Sequence, residues 1–128
     1  MNKGKSSSEI TEMVFHFLGS GIRFTSERSK IQRVFYGLYG NSQFSSLLEG
    51  FTFNISGNYP VSSAVENTIN SLLSSGLLVA ANANEFEVSK ELADKKFEKK
   101  RKFTKKERQE LEKLAQEFRR KMTVICCQ

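Results

Sequence analysis

Residues that do chemistry are scarce in this chain: one histidine (His16), one aspartate (Asp94) and two cysteines, Cys126 and Cys127, side by side. A protein-bound zinc takes about four ligands, and His16 has no Cys, Asp or second His near it at ligand spacing. His16 is therefore expected to be structural or exposed. General acid/base chemistry would have to draw its paired carboxylates from Glu12, Glu27, Glu49 and Glu66, which no motif brings together. GSGIRF and GLYG lack the third glycine of a dinucleotide fingerprint, and no GK[ST] follows a glycine-rich stretch. Adjacent cysteines cannot form a spaced disulfide framework, so both read as free thiols without a base partner. They do not form a prenylation signal either, because Ile125 holds the position the cysteine would need. The reading is non-enzymatic: no catalytic residue, no cofactor and no metal are expected. Apolar runs are short as well. Nothing approaches the roughly 18 to 20 residues that span a bilayer, and Met1 to Ser8 has no apolar signal-peptide stretch. No membrane association and a cytoplasmic location are expected.

What is present fits one core. The 128 residues are 38% hydrophobic and include 11 Phe, within the usual domain size of about 100 to 150 residues. Charge is placed unevenly. Residues 1–88 carry 6 Lys/Arg against 7 Asp/Glu, a net −1, whereas residues 89–128 carry 14 against 7, a net +7. The two parts sum to the overall +6. A basic final third suggests an acidic partner, nucleic acid being the commonest, or else a solvated, charge-laced helix.

Hydrophobic periodicity organises the rest. Ile10, Met13, Val14, Phe17 and Leu18 predict a helix from about Ser6–Ser8 to Gly19, with Ser6 and Glu9 as a capping box. Ile31, Val34, Phe35, Leu38 and Tyr39 predict a second helix ending at Gly40-Asn41, its outer side carrying Arg28, Lys30 and Arg33. Phe44, Leu47 and Leu48 suggest a helical turn. Alternation of Phe51, Phe53 and Ile55 with polar residues predicts a strand, followed by the turn SGNYP. Ser63 and Glu66 then form a capping box for a third helix, with Val65, Ile69, Leu72 and Leu73 inward and Gly76 ending it in a left-handed conformation. LLVAANANEFEV reads as a hairpin around NAN. The expected fold is α+β, mostly α: a winged helix-turn-helix-like domain over 9–90 with the hairpin as wing. A flexible N-terminus (1–8), a basic helical extension (91–122) and a tail (123–128) complete the division.

SKIQRVFYGL on the second helix, then FTFNISGNYP, a helix ending in LLSSGLLV and a short hairpin resemble the SocA-like antitoxin group called Panacea and the small bacterial YwgA-like proteins. Lys30, Ile31, Gln32, Phe35 and Tyr36 are similar to that group's Lys-Leu-Gln-x-x-x-Tyr helix. Gly57 and Tyr59 are similar to its Gly-Pro-Tyr-Ser turn, and Gly76 to its helix-closing glycine. Asn58 stands where the group has proline, and Pro60 follows the tyrosine instead. The resemblance covers about residues 9–90. It implies a winged-helix-like module that binds proteins, as an antitoxin or accessory factor, and brings no catalytic residue.

A protein partner is the first expectation. Thr104 and Glu107 cap a last helix whose Leu111, Leu114, Phe118 and Met122 align on one face, suited to docking on the domain's own core or to lying in a partner's groove. Those four are the candidate partner-binding residues. Nucleic acid is the alternative, through Lys95, Lys96, Lys99, Lys100, Arg101, Lys102, Lys105 and Lys106. Phe97 and Phe103 interrupt that run and can dock or stack on bases. Groove reading by the third helix is disfavoured, since it offers Asn67, Thr68, Asn70 and Ser71 but no Lys or Arg, and the hairpin adds Glu85 and Glu87.

Overall fold

A computed structural model describes residues 6–55, 57–94 and 103–126 of the chain. Its fold is α+β and mostly helical, with a small three-stranded antiparallel sheet. Helix α1 (Ser7–Leu18) begins at the expected capping box: the Ser6 hydroxyl accepts from the Glu9 amide, and the Glu9 carboxylate accepts from the Ser6 amide. Its burial is broader than one face. Phe15 is fully buried and Phe17 only partly, the reverse of the periodic assignment, because neighbours pack on several sides of α1. His16 is structural: its Nδ1–H donates to the Leu92 carbonyl at 2.8 Å and thereby ties α1 to the short helix α5 (Lys90–Asp94).

Between α1 and α2 (Arg28–Tyr39) runs a strand that periodicity does not predict, β1 (Arg23–Thr25). It pairs antiparallel with β3 (Glu85–Val88), setting Arg23 opposite Glu87 and Phe24 opposite Phe86. The expected hairpin forms, β3 pairing also with β2 (Leu78–Asn82), so the sheet order is β1-β3-β2. A 3-10 turn (Ser42–Phe44) and the one-turn α3 (Ser45–Leu48) match the expected helical turn.

The strand expected at Phe51–Ile55 does not form. Only an isolated bridge joins Asn54 to Val61, and Ile55 is 62% exposed, because no neighbouring strand takes up the backbone groups of the segment. The N-cap of helix α4 (Ser63–Ser74) lies one residue before the expected Ser63. Ser62 is the N-cap and accepts from the Val65 amide, while Glu66 is drawn to α2. Gly76 has φ +78°, the left-handed stop that the sequence called for.

Helix α6 (Lys105–Cys126) corrects the division of the chain. Thr104 and Glu107 exchange the two capping hydrogen bonds as expected. The helix is no appendage, for it packs on α1, α2, α3 and β1. Leu111, Leu114, Phe118 and Met122 are all buried with the core residues of those elements, so in this fold they are not a partner-binding face. The physical reason is aromatic. Phe118 lies 5.7 Å from Phe15, 5.8 Å from Phe24 and 5.1 Å from Phe35, ring centre to ring centre, and plugs the space those three leave. Phe103 is buried just ahead of the helix, so it docks.

Candidate functional site

Helices α2 and α4 cross through polar groups. Gln32 is fully buried, its amide nitrogen donating to the Ser62 carbonyl and to Glu66, both at 3.2 Å, while its oxygen accepts from the Ser62 amide at 3.0 Å. One glutamine thus satisfies both backbone groups of the α4 cap. Arg28, expected on the outer side of α2, turns inward instead. Its Nη1 donates to Glu66 at 2.7 Å and to Asn70 at 3.3 Å, and its guanidinium lies 5.6 Å from the centre of the Phe86 ring. The Arg28 charge is therefore neutralised by Glu66.

The hairpin is similarly self-contained. Asn82 accepts from the Asn84 amide at 2.8 Å and donates to Glu85 at 3.0 Å, and Glu87 forms a 2.9 Å ion pair with Arg23. A surface that reads duplex DNA needs cations free to meet phosphate. Here the α4 face presents Asn67, Asn70 and Ser71, and the hairpin presents amides and paired charge.

A different surface is apolar and open. Tyr36 and Tyr39, 40% and 39% exposed, stack at 6.4 Å on the outer side of α2, and both rings lie 5.2 Å from Phe53. Phe53 in turn stacks on buried Phe51, and Phe51 on Phe35 of the core. This ladder fixes the tyrosines as a rigid platform. Exposed Ile55 lies two residues beyond Phe53, and exposed Arg33 precedes Tyr36 by one helical turn. Periodicity misses the platform because it assigns Tyr39 to the core. The signal was present in the i, i+3 pair Tyr36/Tyr39, which cannot both share a stripe with Ile31, Val34, Phe35 and Leu38.

Of the eight cations proposed to contact phosphate, Lys95, Lys96, Lys99, Lys100, Arg101 and Lys102 lie outside the described residues. Lys105 and Lys106 are exposed in the first turn of α6. Farther along that helix Arg120 pairs with Glu117, and this hydrogen bond, aided by the charges of Arg120 and Lys121 and opposed by partial burial, holds the Glu117 carboxyl below its ordinary value. Among the described residues no three His, Cys, Asp or Glu side chains come together as metal ligands, and no helix is long and apolar enough to cross a membrane. Compared with known proteins, the chain matches no family model, no curated protein and no solved structure.

Proposed function

We propose that the chain is a non-enzymatic, winged-helix-like interaction protein of the cytoplasm that holds a protein partner on the Tyr36–Tyr39–Phe53 platform. The winged-helix-like reading is supported by element order: two helices with β1 between them, a third helix, then a hairpin whose β3 pairs with β1. The antitoxin or accessory-subunit role follows the resemblance of residues 9–90. The observation that carries partner binding is the platform itself, two exposed tyrosine rings seated on half-buried Phe53, which is rooted in the core, with exposed Ile55 two residues on. Rigid aromatic side chains at a surface lose little conformational entropy on binding and are typical interface anchors. The C-terminal helix contributes by completing the core under the platform rather than by touching the partner.

Affinity purification from the native cell, with and without nuclease, tests this. A stoichiometric protein should survive nuclease, and the triple variant Tyr36→Ser, Tyr39→Ser, Ile55→Asp should lose it while still unfolding cooperatively, its melting temperature lowered by the loss of two half-buried rings packed near Phe53. Retention by that variant would remove the proposal.

Nucleic acid binding through residues 95–106 remains the second reading, and one observation favours it. Lys105 and Lys106 sit in the first turn of α6, where the helix dipole disfavours cations by a few tenths of a kcal/mol each. Lysines held at an unfavourable end are consistent with a need for their charge, and a polyanion would supply it.

A further inference from the structure

Where α6 passes the edge strand β1 the core does not close. A cavity of about 230 Å³ remains, lined by Leu18, Ile22, Phe24, Phe118 and Met122, with Arg119 among the polar residues at its rim. It equals about eight water volumes of roughly 30 Å³ each, room for a short apolar molecule.

The rim decides the charge of the occupant. Its cations are Arg23 and Arg119, and its acid is Glu85. Arg23 is committed to Glu87 at 2.9 Å, and Glu85 is held toward the hairpin turn by the Asn82 amide at 3.0 Å. The two threonines at the rim are also engaged, Thr25 accepting from the Glu27 amide and Thr123 donating to the Arg119 carbonyl. Among the described residues Arg119 has no ion-pair partner.

We propose that this cavity between β1 and α6 binds a small apolar carboxylate, its hydrocarbon on Leu18, Ile22, Phe24 and Met122 and its carboxylate on the Arg119 guanidinium. A planar guanidinium receives a carboxylate through two parallel hydrogen bonds, so it favours this head group over other anions. The site is independent of the aromatic platform and does not rest on the partner-binding reading.

The test is a titration of the full chain, followed by backbone amide chemical shifts at constant ionic strength, with three six-carbon probes: hexanoate, hexan-1-ol and hexylammonium. Hexanoate should cause saturable shifts confined to residues around Leu18, Ile22, Phe24 and Thr123. It should bind about two- to fivefold more tightly than hexan-1-ol, the range for one exposed ion-pair contact, and hexylammonium should bind most weakly. Arg119 is exposed, so Arg119→Gln should fold normally and abolish the preference for hexanoate over the alcohol while leaving alcohol binding intact. Glu85→Gln should tighten hexanoate alone. Filling the cavity with Ile22→Trp should remove saturable binding of hexanoate and hexan-1-ol. Shifts scattered over surface lysines, no saturation, or an unchanged hexanoate preference in Arg119→Gln would each overturn the proposal.

Discussion

Replacing Phe118 by alanine separates a helix that belongs to the core from one that merely trails it. The side chain is fully buried and its ring meets Phe15, Phe24 and Phe35 within 6 Å. Burial of this kind is typically worth about 3 to 5 kcal/mol on truncation to alanine, the aromatic contacts included. Unfolding entropy near the melting point is about 2.1 cal/mol/K per residue, which over 128 residues gives about 0.27 kcal/mol/K. The melting temperature should therefore fall by about 11 to 19 °C. Total stability of a domain is about 5 to 15 kcal/mol, so a substantial unfolded population at 37 °C is within reach. Differential scanning calorimetry measures the shift, with Ile55→Ala as the exposed control expected to stay within about 0.5 kcal/mol. A companion fragment ending at Asp94 should fail to fold cooperatively. A fall under about 3 °C for Phe118→Ala, or a cooperative transition in the fragment, would refute the placement of α6 in the core.

Other outcomes follow from the same geometry. Gln32→Leu strands the buried Ser62 amide and should cost about 2 to 3 kcal/mol by chemical denaturation, one unsatisfied buried group plus a lost charge-assisted contact; Gln32→Glu should recover little, since it places an acid beside Glu66. Glu66→Gln should cost about 1 kcal/mol, and a double-mutant cycle with Arg28→Met should return a coupling of similar size, the two groups being only partly exposed. If the second functional reading holds, replacing Lys99, Lys100, Arg101, Lys102, Lys105 and Lys106 with Gln should abolish polyanion binding, and the intact chain should show a log-log salt slope of about 0.9 per duplex phosphate neutralised. Because Arg120 lowers the Glu117 carboxyl in the folded chain, its contribution is present above the ordinary carboxylate pKa and is lost as pH falls through the lowered value; Arg120→Gln should flatten the stability profile in that acid window.

Local signals were legible, and signals that depend on distant partners were not. The capping boxes at Ser6 and Thr104, the stop at Gly76 and the hairpin each reside within a few residues, so their chemistry is complete in a short window. Strand β1 has three residues, too few for alternation to register, and it is a strand because β3 lies opposite it some sixty positions later. The Phe51–Ile55 alternation misled for the converse reason, since a strand pattern without a neighbour has nothing to pair with. Ser62 and Ser63 are equivalent by composition. The choice between them is made by Gln32, which binds the Ser62 backbone, and by Glu66, which turns to Arg28. The apolar stripe of α6 was read correctly as a stripe, but its destination was set by the gap among Phe15, Phe24 and Phe35, which no window along the helix contains. Of the candidate site, the cations were visible as a run of like charge, whereas the aromatic platform was hidden by assigning Tyr39 inward.

That the final large helix supplies the plug has a bearing on how the protein is made in a cell. A ribosome adds about 5 to 20 residues per second, so the interval between incorporating Leu92 and Met122 lasts about 2 to 6 seconds. During it the nascent polypeptide holds Phe15, Phe24 and Phe35 without the Phe118 ring that packs against all three. Such a sticky intermediate is a natural client for chaperones, and slowing translation between those codons should raise the share of product lost to aggregation or proteolysis.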